Sequence, residues 1–247
     1  MPEQTRRRAV RSFVNRAGRT TRAQHRALRD LLPKYALDPA ARPLTGPKIF
    51  GRRAPLVLEI GFGNGDTLAE LAVRHPEKDF IGVEVHEPGV GHLLLQVESH
   101  ALTNVKVAVG DAVELLESDF ADEALDEVLI LFPDPWPKKR HHKRRLVQPD
   151  LLTLLAAKMR HGGLLHMATD WEPYAEHMRE CVEACPWFDN LATEAGFVPR
   201  PNSRPATKFE RRGQRLGHKV WDLQCLRNRA EVPAADAKPA SGAGAGD

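Results

Sequence analysis

The chain of 247 residues is poor in cysteine and has no long apolar run, and each shortage closes off a class of protein. Its three cysteines, Cys181, Cys185 and Cys225, are too few and too irregularly spaced for a disulfide framework. The first two stand four apart, not in the two-residue gap of a zinc knuckle or redox pair, so all three read as reduced packing thiols. No window nears the roughly 18 to 20 uninterrupted apolar residues of a membrane span, and the charged start of the chain has no apolar stretch behind it. The expectation is a cytoplasmic protein with no membrane partner. His86, His141, His142 and His218 lack a metal-ligand spacing such as a helical pair four apart, so no metal is expected.

Net charge is also slight, at +3, but the average hides segregation along the chain. Ten cations from Arg6 to Lys34 crowd the first segment, opposed only by Glu3 and Asp30. Between Leu56 and Pro135 acids dominate. A second basic block runs from Lys138 to Arg145, and a third holds Arg200, Arg204, Lys208, Arg211, Arg212, Arg215 and Lys219. Cationic segments around an acidic core suit a protein that handles a polyanion.

Residues 1–50 have no clean period and carry Pro33, Pro39, Pro43 and Pro47, which predicts a basic arm with at most a short helix. From residue 51 to 229 the pattern is regular and marks the catalytic domain. Apolar runs at 56–60, 80–85, 105–109, 127–132 and 164–169 alternate with helical spacings at 66–75, 88–100, 112–117, 148–160 and 171–184. Such alternation implies α/β architecture: a mostly parallel sheet with helices on both faces, since right-handed crossovers lay each helix over the sheet. Residues 218–226 read as a further strand, added antiparallel at the end of the sheet. Residues 230–247 are Ala, Pro and Gly with little apolar bulk and are expected to be a disordered tail.

After the first run comes Glu59-Ile-Gly61-Phe-Gly63-Asn-Gly65-Asp66, opening a helix. Glycines there let the chain turn tightly and let backbone N–H groups approach a ligand. A dinucleotide fingerprint would place its third glycine at 66, where Asp66 stands. The spacing instead resembles the first motif of the Rossmann-like class I methyltransferases that use S-adenosylmethionine. That ligand carries an ammonium and two ribose hydroxyls, which suit carboxylate acceptors, and Glu59 ends the first strand, Glu84 the second, and Asp111 follows the third. The resemblance implies Glu84 on the ribose, Asp111 and Ala112 on the adenine, and Glu59 with Gly61, Gly63 and Gly65 at the methionine end. The competing possibility is that the acids cap the following helices.

The fourth strand runs into Phe132-Pro133-Asp134-Pro135-Trp136-Pro137-Lys138-Lys139-Arg140-His141-His142-Lys143-Arg144-Arg145. Two prolines fix the backbone around Asp134 and present its carboxylate at the strand end. Trp136 either stacks on a base or packs under the loop. This run is similar to the signature of the bacterial tRNA (guanine-N7-)-methyltransferases. Further pieces match in order: Arg11-Ser-Phe-Val14, Gly82-Val-Glu84-Val-His86, Ala168-Thr169-Asp170-Trp171, and the segment from Arg204 to His218.

What that resemblance implies covers residues 10–226. It includes a seven-stranded sheet with an antiparallel last strand, S-adenosylmethionine as cofactor with S-adenosylhomocysteine as product, and tRNA as partner. Asp134 would be the catalytic acid, also touching cofactor. Lys138, Asp170, Thr207, Lys208, Phe209 and Glu210 would bind substrate, while Arg140, His141, His142, Lys143, Arg144 and Arg145 would contact RNA. The target would be guanine 46 of the variable loop, and monomer and homodimer both stay open. Thr207 and Glu210 also read as a capping box. Three rivals stand beside this reading: a methyltransferase acting on an exocyclic amine, an RNA-binding protein with a dead cofactor site, and a small-molecule methyltransferase.

Overall fold

A computed structural model describes residues 12–13, 19–193, 196–207, 210, 217 and 219–232. Seven strands form one sheet in the order β3-β2-β1-β4-β5-β7-β6. The strands are β1 (Leu56–Ile60), β2 (Asp79–Glu84), β3 (Val105–Val109), β4 (Leu125–Leu131), β5 (Met159–Thr169), β6 (Phe188–Asn190) and β7 (Trp221–Arg227). β1 to β5 are mutually parallel, and β7 runs antiparallel to both its neighbours. It is therefore not an edge strand as expected. Three-residue β6 covers it, a strand too short to leave an apolar period in the sequence.

The helices are α1 (Arg22–Asp30), α2 (Leu32–Tyr35), α3 (Gly46–Phe50), α4 (Asp66–Arg74), α5 (Glu87–Ser99), α6 (Ala112–Ser118), α7 (Pro149–Lys158) and α8 (Glu172–Glu183). β1 is buried at every residue because apolar clusters cover both faces of the sheet. One cluster joins Leu58, Ile81, Val128 and Leu165 to α7 and α8; the other joins Val57, Phe80 and Leu129 to α4 and α5.

The segment before residue 51 is more ordered than its lack of period suggests. A capping box at Thr21 and Gln24 starts α1, which lies on α5 with Gln24 Nε2 donating to Pro88 O at 3.0 Å. Ala27 and Leu31 enter the core, and Leu44 N–H donates to Asp119 O. The cap fixes where α1 starts, and its burial depends on the helix it meets. Within residues 230–232, Glu231 O accepts from the Trp187 indole, and the remaining tail, 233–247, lies outside the described residues.

Candidate active site

Chain order reverses between β1 and β4, and the carboxyl ends of the strands part there. A cavity of about 580 Å³ opens at that edge, within the range of small-molecule sites. Glu59 ends β1, Glu84 ends β2, Asp111 follows β3, Asp134 follows β4, and all four line it. The crossovers bring together acids that lie up to 75 residues apart in the chain.

The glycine turn folds as its residues require. Gly61, Gly63 and Gly65 have φ of 74°, 61° and 78°, a region costly for a residue with a side chain. Gly63 N–H donates to Glu84 Oε2 at 2.8 Å, while Val85 and His86 N–H groups donate to Glu84 Oε1 at 2.7 and 3.0 Å. Glu84 thus ties β2 to the turn. Asp111 caps α6, accepting from Val113 N–H at 2.9 Å, so the capping possibility holds for this acid and leaves its second oxygen to the cavity.

Glu59 differs. It is 3% exposed, and its Oε2 has no hydrogen-bond partner among the described residues. Burial, with the Glu84 charge adding to it, pushes its carboxyl up to about 8. A buried acceptor left without a donor, beside a glycine turn, fits a cationic ligand group.

Asp134 sits exposed at the cavity mouth between Pro133 and Pro135, and no hydrogen bond or ion pair engages its carboxylate among the described residues. The residues outside the prolines, Phe132 and Trp136, hold φ of 54° and 46°, so the turn is kept by its surroundings rather than by local preference. Trp136 packs: its indole N–H donates to Ser12 O at 3.1 Å, the Arg144 guanidinium lies 4.6 Å from its ring centroid, and His141 meets it edge-on. Ser12 and Phe13, from the N-terminal piece matched above, thereby reach the cavity wall.

The basic run is a 3-10 helix, Lys139–Arg144, in place of an irregular loop. Lys138, Lys139, Arg140 and Lys143 are exposed; His141, His142 and Arg144 are half-buried. Arg145 departs from the expectation that it contacts RNA. It is 4% exposed, donates to Pro135 O and Pro173 O at 3.1 and 3.3 Å, and lies over the Tyr174 ring. Its charge clamps the Asp134 turn to the start of α8, which charge counting could not separate from a solvated cation.

Asp170 follows β5 and Thr207 lines the cavity, but Glu210 does not face solvent. Glu210 is fully buried, paired with Arg200 at 2.5 Å and Arg204 at 2.7 Å, and closes a capping box with Thr207. A direct substrate contact by Glu210 is corrected on this geometry, since its oxygens are already filled. Lys208 and Phe209 lie outside the described residues.

The site also has a member that motif reading missed. Gly89, in the first turn of α5, packs so closely that a Cβ built there would stand 2.0 Å from Gly63 O. Glycines at both 89 and 91 inside one helical stretch were the available signal.

The family model described as "Putative methyltransferase" matches residues 53–223. A tRNA (guanine-N(7)-)-methyltransferase of Stutzerimonas stutzeri (strain A1501) is 56% identical over 221 residues, 90% of this chain and 93% of the relative. One of Alkalilimnicola ehrlichii is 56% identical over 89% of this chain and 93% of its own length. Among solved structures, the 16S rRNA methyltransferase KamB superposes with a TM-score of 0.50 at 16% identity, over 72% of this chain and 90% of that one. That likeness shows the fold alone, a class I methyltransferase sheet.

Proposed function

The chain belongs to the tRNA (guanine-N(7)-)-methyltransferase family, and we propose from that membership that it methylates N7 of guanine 46 in the variable loop of tRNA with S-adenosylmethionine. The observation that carries the reading is the convergence of Glu59, Glu84, Asp111 and Asp134 on one cavity beside a run of exposed cations. When bound, the cofactor supplies an electrophilic methyl group on a sulfonium. Glu59 and the turn Gly61 to Gly65 would hold its ammonium end, Glu84 its ribose, and Asp111 with Ala112 its adenine.

Guanine N7 has an in-plane lone pair and no proton, so the protein needs no strong general base. Its work is orientation, exclusion of water and support of positive charge developing on the purine. Asp134 and Asp170 suit this work: no described residue engages either carboxylate, so each could accept from the guanine N1–H or exocyclic amine, and each negative charge favours a cationic base. Incubation with labelled cofactor and unmodified tRNA, followed by nucleoside digestion, should yield 7-methylguanosine at position 46. Label on an exocyclic amine, or binding without transfer, would support a rival instead.

Lys138, Lys139, Arg140 and Lys143 are exposed and would meet phosphates. Replacing Lys139, Arg140 and Lys143 together with Ala should weaken tRNA binding and lower the slope of log affinity against log salt by about one unit per lost contact. An unchanged slope would remove these residues from the interface. Arg145→Ala should act differently, lowering thermal stability with little change in slope, because its hydrogen bonds are internal.

Cofactor affinity should also depend on pH through Glu59. The free protein keeps this carboxyl protonated up to about 8, while an ammonium beside it favours the ionised form. Binding therefore lowers the Glu59 pKa and releases a proton, so affinity rises as pH rises toward 8. Calorimetry at pH 7 in buffers of different ionisation enthalpy measures that proton. Its absence in the wild type, or its persistence in Glu59→Gln, contradicts the assignment.

A further inference from the structure

A chain of buried charges lies behind the Asp134 turn, outside the cavity. Arg204 is 3% exposed and engages two carboxylates at once. Its Nε and Nη2 donate to Asp222 at 2.8 and 3.0 Å, and its Nη1 and Nη2 donate to Glu210 at 2.7 and 3.2 Å. His166, also buried, places Nε2 2.8 Å from Asp222 Oδ1, and Arg200 closes the other end on Glu210. Burial pushes the Asp222 carboxyl up, but the hydrogen bonds from His166 and Arg204 outweigh it and hold the group below the ordinary Asp range. Arg204 also stands 5.6 Å over the ring of Phe132, the left-handed residue that leads into Pro133 and Asp134.

The partners belong to, or pair with, segments that each present a proposed substrate contact. Asp222 lies in β7 opposite Ala168 of β5, two residues before Asp170, and Ala168 O accepts from Phe132 N–H at 2.8 Å. Glu210 holds Thr207 through the capping box. A planar guanidinium with five donors can register three such elements together, which an ammonium cannot. We infer that Arg204 is a positioning residue for methyl transfer, fixing Asp134, Asp170 and Thr207 relative to one another through Asp222, Glu210 and Phe132. The inference rests on the proposed tRNA reaction, and among the described residues the network meets the cavity through Phe132 and Thr207.

Arg204→Lys and Glu210→Gln test it. Both should bind a full equivalent of cofactor and keep tRNA affinity within about threefold, while kcat falls at least about 30-fold. Arg200→Gln, at the half-exposed end of the chain, serves if burial makes the first two unfold; it should lower kcat about fivefold at unchanged cofactor stoichiometry. A loss of activity that merely tracks a loss of cofactor sites means a structural role only and overturns the inference, as does turnover within threefold in the folded variants. Amide NMR shifts separate this from the functional reading. In Arg204→Lys, or in Arg200→Gln if that variant replaces it, the amides of Phe132, Asp134, Asp170 and Thr207 should move while those of Gly61, Gly63 and Gly65 stay. An unmoved Asp134 turn defeats the inference whatever the substrate. Moved amides in a wild-type protein that leaves N7 unmethylated defeat the assigned reaction and leave the positioning network standing.

Discussion

Asp134→Ala should reduce methyl transfer to tRNA by about 100- to 1,000-fold while leaving cofactor and tRNA affinity within a few fold. The size follows from the loss of one preorganised charge aimed at a centre that becomes cationic in the transition state. The selectivity follows from what the carboxylate does in the resting protein. No described group bonds to it, so its removal leaves no unsatisfied partner, and stability should change by no more than about 0.5 kcal/mol. Backbone placement is also independent of the side chain, because Pro133 and Pro135 restrict φ on either side of it and the surroundings, Arg145 on Pro135 O among them, hold the turn. Asp134→Asn should fall between the two, since an amide oxygen still accepts a hydrogen bond but brings no charge. Single-turnover transfer of labelled methyl into tRNA, with both affinities measured separately, checks all three statements. Near-normal turnover in the alanine protein would exclude Asp134 from the reaction.

Gly89→Ala should abolish measurable cofactor binding, a loss of at least about 100-fold, though residue 89 appears in no ligand motif. Two effects oppose each other at this helical position. Replacing glycine by alanine in a helix favours folding by roughly 0.8 to 1 kcal/mol. Against it stands a methyl group 2.0 Å from Gly63 O and 3.0 Å from Gly63 C, backbone atoms that cannot rotate away. Either α5 or the glycine turn must move by more than an ångström, at an overpacking cost of about 1 to 3 kcal/mol. The clash wins, and the turn is the softer side. Moving Gly63 also pulls its N–H from Glu84 Oε2, so the ribose acceptor is displaced with the turn. Thermal unfolding should show a modest loss of stability beside the much larger loss of binding. Cofactor affinity within threefold of wild type would mean that the turn relaxes without consequence, and the close approach would lose its functional meaning.

The parallel core was legible because its strands read as apolar runs, and β1 is buried on both faces: 56–60 and 105–109 match β1 and the edge strand β3 at both ends. The glycine turn and the acids at strand ends were legible for a related reason. Glu59 and Glu84 stand at the ends of such runs and Asp111 and Asp134 two residues beyond theirs, so finding the strand finds the acid. Residues 139–144 gave no comparable signal, since their 3-10 helix is held by Gln148 and Arg145 rather than by an apolar period.

The order of residues thus settled the fold class, the edge of the sheet that carries the candidate site and the family, all of which depend on short-range pattern and ordered motifs. Tertiary structure alone decided which of several like residues face the cavity or the solvent and which are tied up inside. Arg145 and Lys143 are both cations in one basic run, yet one is spent on backbone carbonyls and the other meets solvent. Glu59 and Glu210 are both buried acids, yet one lacks a donor and the other is held by two arginines. The physical reason is that burial and partners come from segments far apart in the chain, and a charge acquires its role only from what folding places beside it.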